Sequence, residues 1–204
     1  MELNFKLNQD PKNPKMKKIL FFATTALFVA FKSAAPTTWA LDKAHSQLGF
    51  SINHLGVADI AGAFTAFDCT ITTSKEDFSD AVIELNAEAK SVNTFNEKRD
   101  EHLRSPDFFD AAKYPTITFK SKTFKHESGN KYKISGDFTM HGVTKPVELE
   151  AVKFSGTNPM SKKAVAGFKV SGKIKRTDFG VGASMPGMLG DEVMLMANTE
   201  FSPN

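Results

Sequence analysis

Among 204 residues the chain has one cysteine, one tryptophan and two tyrosines, and each scarcity excludes something. Cys69 has no partner for an internal disulfide, and it stands too far from the N-terminal apolar run to be the lipidated cysteine of a lipoprotein. With apolar neighbours it reads as a small buried hydrophobe without a redox role. The uncharged apolar run Ile19 to Phe31 has 13 residues, short of the ~20 that a membrane-spanning helix needs. GxSxG, Walker, GxGxxG and HExxH motifs are absent, and no pair of histidines has zinc-finger spacing with cysteines. Asp178-Phe179-Gly180 lacks the glycine-rich loop and HRD segment that a kinase would place with it. The sequence has no internal repeat and no low-complexity tract.

What is present begins with a leader. Lys15, Lys17 and Lys18 precede the apolar run, and Lys32 and the small residues Ser33-Ala34-Ala35 follow it. That order describes a secretory signal peptide. Cleavage is expected after Ala35, with Met16 as an alternative start, leaving residues 36–204 as one exported domain, periplasmic or otherwise outside the cytoplasm. Residues 1–35 hold six lysines and two acids, so the remaining chain carries 20 basic and 21 acidic residues, a net charge of −1. The basic balance of the whole chain therefore belongs to the leader. A nucleic-acid partner, which would want a basic stripe on the domain, is not expected.

The rest alternates with period two. Leu48, Phe50, Ile52 and His54 share one face of "QLGFSINH", and Ile83, Leu85, Ala87 and Ala89 one face of "AVIELNAEAK". "TITFKSKTF" puts Ile117, Phe119, Ser121 and Thr123 together; "KYKISGDFTMHG" does the same for Tyr132, Ile134, Gly136, Phe138 and Met140. Ala166, Phe168, Val170, Gly172 and Ile174 follow, then Val193, Leu195 and Ala197. With "DIAGAFTAFDCTITT" and "KPVELEAVKF" this makes about eight antiparallel strands with one wet and one dry face, an all-β sandwich or barrel. The dry faces mix Phe with Gly and Ala. Fourteen Phe remain after the leader, and a barrel of about eight strands is either filled by side chains or hollow enough for one small ligand. Composition suits both.

The stretch Asn93 to Ser121 breaks the alternation. Thr94 followed by Glu97 fits a capping box, and Phe95 to Arg104 has helical composition. Pro106 is expected to stop that helix or to start a second short one through "DFFDAAK". Arg99, Asp100 and His102 fall within one helical turn and read as a polar cluster pinning the helix to a barrel mouth, since charges beside an apolar opening need partners. The alternative is a hydrolase or isomerase on a small hydrophobic substrate with Asp100 and His102 as acid and base, or a metal enzyme using the histidines. His45, His54, His102, His126 and His141 show no ligand set, so no metal is expected. Arg176 is expected to pair with Asp100 or Asp178, and Met185 and Met188 in "SMPGMLGDEV" suit the lining of an opening.

In order and spacing, "LDKAHSQLGFSINHLGV", "GAFTAFD", the Asn93–Ser121 stretch, "ISGDFTMHGVTKPVELE", "IKRTDFGVG" and "GDEVML" resemble the YceI-like family over Trp39 to Phe201. His45-Ser46, Arg99-Asp100, His102-Leu103 and Gly136 to Gly142 match the family's pattern, with Phe138 where an aliphatic is common. Lipocalins proper match less well, because Trp39 lacks their Gly-x-Trp. The resemblance implies an eight-stranded antiparallel lipocalin-like barrel with a short helical insertion. It implies an exported binder or carrier, without catalysis or a cofactor, whose tube holds a polyisoprenoid, an isoprenoid quinone or a similar long-chain lipid. Phe50, Ile52, Phe64, Leu85, Phe108 and Phe109 are then expected in the lining, with Ile117, Phe119, Phe138, Phe168, Val170 and Leu195. His45, His54, Arg99, Asp100, His102 and Arg176 are the candidates for a polar rim or head-group site. A homodimer and transient membrane contact are both compatible with this reading.

Overall fold

In the computed structural model, which describes residues 35–204, the alternating segments close into a single antiparallel sheet. The leader expected over residues 1–35 lies outside the described residues except for Ala35. The strand segments are β1 (Thr37–Leu41), β2 (Gln47–His54), β3 (Ala58–Phe64), β4 (Phe67–Thr73), β5 (Val82–Glu88) and β6 (Val92–Asn93), then β7 (Thr116–Ser128), β8 (Lys131–Met140), β9 (Val143–Thr157), β10 (Ala164–Lys175) and β11 (Leu189–Pro203). One helix, α1 (Glu97–Arg104), lies between β6 and β7. β1 and β2 share one stave beside β11; β3 and β4 share the next, and β5 and β6 the third. With β7 to β11 this gives eight staves in sequence order, and the β1–β11 pairing closes the ring.

The three interrupted staves break side by side, which bends the wall. A 3-10 turn, Lys43–His45, separates β1 from β2, and Asp42 caps it by accepting from the Ala44 and His45 amides. Thr65 N donates to Ser91 O, and Glu88 N to Ala66 O, across the other two breaks. β6 pairs only with β3, while β7 pairs β5 from Thr116 onward. α1 and the loop after it occupy the interval.

Inward residues follow the period-two pattern with one exception. A bulge after Ser121 turns Thr123 outward and brings Phe124 into the core. β5 and β7 stop pairing at Glu84 and Lys120, so the next amide, Ile83 N, needs another acceptor, and the buried Ser121 Oγ supplies it at 2.8 Å. Ser121→Ala should therefore cost about 1–3 kcal/mol, the penalty for an orphaned buried amide. Chemical denaturation would show it as a lower midpoint with unchanged slope.

Glycines on the dry face set where the rings lie. A Cβ at Gly136 would stand 2.4 Å from the Lys120 carbonyl oxygen and 2.6 Å from Phe119 Cζ, and one at Gly62 would meet Phe50 Cζ at 2.3 Å. At one end of the barrel the β4–β5 loop seats Phe78 between Trp39 and Phe168, at centroid distances of 5.0 and 5.5 Å. Tyr132 donates its hydroxyl to Asp77 O at 2.6 Å beside them. This aromatic floor packs across one end. The β2–β3 turn, α1, the His141-Gly142 turn and the β10–β11 loop stand at the other.

Candidate functional site

The helix that borders the open end is capped by Asn96, whose side chain accepts from Arg99 N at 3.1 Å. The expected capping box on Thr94 and Glu97 is therefore not the cap. Thr94 is buried and has another task. Its amide and hydroxyl both donate to Asp100 Oδ1, while Arg99 Nε donates to its Oγ1 at 2.7 Å and Arg99 Nη2 to its carbonyl at 2.7 Å. Consecutive helix residues point apart, so Arg99 and Asp100 meet only through this threonine. Arg104 holds α1 to the wall by donating to Lys90 O and Val92 O.

Pro106 stops the helix, and the expected second helix does not form through residues 107–113, which are a run of turns. The chain folds back through Phe109 N to Leu103 O and Ala111 N to Arg104 O, which buries Phe108 and Phe109. His102 lies edge-on to Phe108, with Nε2 3.3 Å from Asp107 Oδ2. The acid–base pair of the enzymatic alternative is not assembled: Asp100 is engaged by Thr94, and His102 faces Asp107.

Two cavities run along the barrel interior. The larger, about 470 Å³, lies at the helix end, and Phe50, Ile52, Phe108 and Phe109 help to line it. The smaller, about 110 Å³, lies deeper, with Leu85, Phe119, Phe168 and Val170 in its wall. Phe64, Ile117, Phe138 and Leu195 border both, so the cavities meet at that ring of side chains. The twelve residues expected in the lining all lie on one cavity or the other. Cys69 is buried in the wall of the smaller one, where burial pushes its thiol up to about 12. A larger, more open depression of about 1350 Å³ mixes Lys43, Asp68, Glu88 and Lys169 with Gly49, Ala61 and Ala63.

Of the expected polar residues, His54, Arg99, His102 and Arg176 border the larger cavity, while Asp100 is sealed behind Thr94. Arg176 is 3% exposed. Its expected acidic partner does not appear: among the described residues no carboxylate comes within ion-pair distance of it. Instead Nε donates to Gly190 O, and Nη1 to Val181 O and Ala183 O, each at 2.9 Å. Its Nη2 donates to none of the described residues, and no described side-chain nitrogen is both sealed and unpartnered, so Nη2 is not fully sealed. Gly182, at φ +69°, carries the chain past this group; a Cβ there would stand 2.9 Å from Nη1. A buried guanidinium thus stands in the wall of a mostly apolar cavity.

His45 is elsewhere. It sits on the 3-10 turn between β1 and β2, lines neither interior cavity, and bonds Asp42 Oδ2 through Nδ1 at 2.9 Å. That bond raises the His45 value above its ordinary 6.5 and lowers that of Asp42. The pair's contribution is complete between the ordinary carboxylate and imidazole values. It is lost as pH rises through the raised His45 value or falls through the lowered Asp42 value. Proton NMR should show His45 titrating above 6.5, and returning toward it in Asp42→Asn.

Sequence reasoning left Thr94, Leu103 and Val181 out of the lining, although all three border the larger cavity. The period-two signal could not find them, because they lie on loops and on the helix. Met185 and Met188 do border the opening, as their flexible side chains suggested.

Comparison with known proteins gives a consistent picture. A model of the YceI-like domain matches residues 39–201. "Protein YceI" of Salmonella arizonae and of Salmonella heidelberg are each 37% identical over 187 residues, covering 90% of this chain and 96% of theirs. Among solved structures, the Campylobacter jejuni YCEI protein aligns with a TM-score of 0.67 at 33% identity, over 80% of this chain and 96% of that one. Burkholderia cenocepacia BcnA aligns at 0.70 with 22% identity, over 78% and 98%. A polyisoprenoid binding domain from Saccharophagus degradans, implicated in plant cell wall breakdown, aligns at 0.61 with 17% identity, over 82% and 99%. The last two share the fold.

Proposed function

The chain belongs to the YceI-like family, and from that premise we propose that it is an exported carrier whose barrel holds the tail of a polyisoprenoid or similar long-chain lipid. The supporting observation is the apolar interior, open toward α1 and floored by aromatics, with one buried guanidinium in its wall. A 470 Å³ cavity lies within the ~300–1,000 Å³ usual for small-molecule sites. The tail leaves water at ~25 cal/mol per Å² of apolar area buried. The head then lies at the helix end, where Arg176 Nη2 offers donors and Arg99, His54 and His102 stand nearby. Arg104 is not in this set, because it borders neither cavity and is bonded to the wall. A head with strong acceptor oxygens, phosphate above all, fits a guanidinium best. The Saccharophagus degradans relative of the same fold is described as binding a polyisoprenoid. Export rests on the leader motif, and a binding role leaves Asp100 as scaffold.

The test is uptake of a fluorescent polyprenyl phosphate by the processed protein. Saturable binding of about one probe per chain supports the reading. Binding no tighter than to a barrel of solid core, or equal binding of a short water-soluble phosphate, overturns it.

A further inference from the structure

Two loops at the open end are unusual in composition and exposure. Residues 54–58 and 179–190 contain no Asp, Glu, Lys or Arg, in a chain that is 24% charged. The fold ties them together: Leu55 N donates to Met188 O at 2.9 Å, and His54 pairs with Leu189. Val57 is 81% exposed, Met188 58% and Leu55 53%. Leu55 is also held at φ 58°, a backbone conformation in which Gly or Asn is the ordinary choice. A hairpin tip that needed only to turn would carry Asn-Gly. This one presents two bulky apolar side chains to solvent.

The exposed apolar surface is continuous with the interior, since Met188 and Leu189 also line the larger cavity. Whatever covers the rim therefore adjoins whatever fills the barrel. We propose that the Leu55–Val57 tip and the Met185–Met188 loop dock on a neutral lipid leaflet, and that the tail passes from the leaflet into the barrel along Met188 and Leu189. This rests on the carrier reading. A leaflet supplies both the cover and the cargo, and loops without charge are what it accepts, since charged side chains are expelled from the hydrocarbon region. Loops built for a charged protein surface would carry countercharges, and these two have none.

The test uses neutral phosphatidylcholine vesicles loaded with a fluorescent polyprenyl phosphate and the processed protein, wild type or Leu55→Asn/Val57→Asp. Neither residue lines a cavity, and asparagine suits the φ of Leu55. The double variant should extract probe from vesicles about tenfold more slowly, or slower still, because two apolar side chains no longer enter the leaflet. It should bind probe delivered from ethanol as the wild type does, which also shows that it is folded. The wild-type extraction rate should not depend on salt. Extraction by the variant at the wild-type rate overturns the proposal. So does extraction confined to anionic vesicles and abolished by salt, or a dimer that the double variant dissociates. Failure of the wild type to bind probe by either route overturns the carrier reading along with this one.

Discussion

Leu195→Trp should weaken binding of a long polyprenyl lipid by about a hundredfold and weaken binding of a short-chain analogue much less. Leu195 is one of four residues that border both interior cavities. A tryptophan there divides the lumen, and the part of the tail that would reach the deeper cavity is turned back toward water. Excluding three or four methylenes at about 0.8 kcal/mol each amounts to some two orders of magnitude in affinity. The overpacked side chain costs about 1–3 kcal/mol of stability, so the variant stays folded and the two probes can be compared directly by titration. Equal loss for both chain lengths would mean that the tail does not reach the ring of Phe64, Ile117, Phe138 and Leu195.

That ring was legible in the sequence because a half-buried strand repeats every two residues. Phe138, Leu195 and Ile117 all stood on dry faces by alternation alone. Thr123 did not follow its strand, because a bulge inserts one residue after Ser121, and a bulge leaves little trace in a short alternating run. The eight staves were readable as strands, yet their shared bend was not, since it depends on three breaks lying side by side in space. The helix was readable from composition. Its cap was placed two residues early because Thr94 carries the right chemistry and uses it on Asp100. Arg176 is the instructive failure. A buried arginine ordinarily implies an acidic partner, but this one satisfies three backbone carbonyls, which sequence does not display. His45 was placed on the rim because of the family motif, and the wall bend takes it away from the cavity.

Arg176→Met should lower stability by about 3 kcal/mol, and the melting temperature by about 10 °C for a domain of this size. Two effects oppose each other. Removing a buried charge relieves a desolvation penalty of several kcal/mol. Losing charge-assisted bonds to Gly190, Val181 and Ala183 forfeits about 1.5–3 kcal/mol each and frees the loop that carries Met185 and Met188. The three bonds win. A purely structural role would end there. A head-group role adds a second signature: a polyprenyl phosphate should raise the melting temperature of the wild type more than the matching alcohol does. The difference should vanish in Arg176→Met. If phosphate and alcohol stabilise the wild type equally, Arg176 serves the loop and not the ligand.

The most direct measurement is native mass spectrometry of the processed protein purified from its own host, followed by organic extraction of whatever is bound. The expected result is a discrete adduct, one per chain, that releases on extraction a molecule with one long hydrocarbon tail and an oxygen-rich head. A single unliganded mass from every preparation, joined with failure to take up polyprenyl phosphate, polyprenol or quinone afterwards, would contradict a lipid-holding barrel.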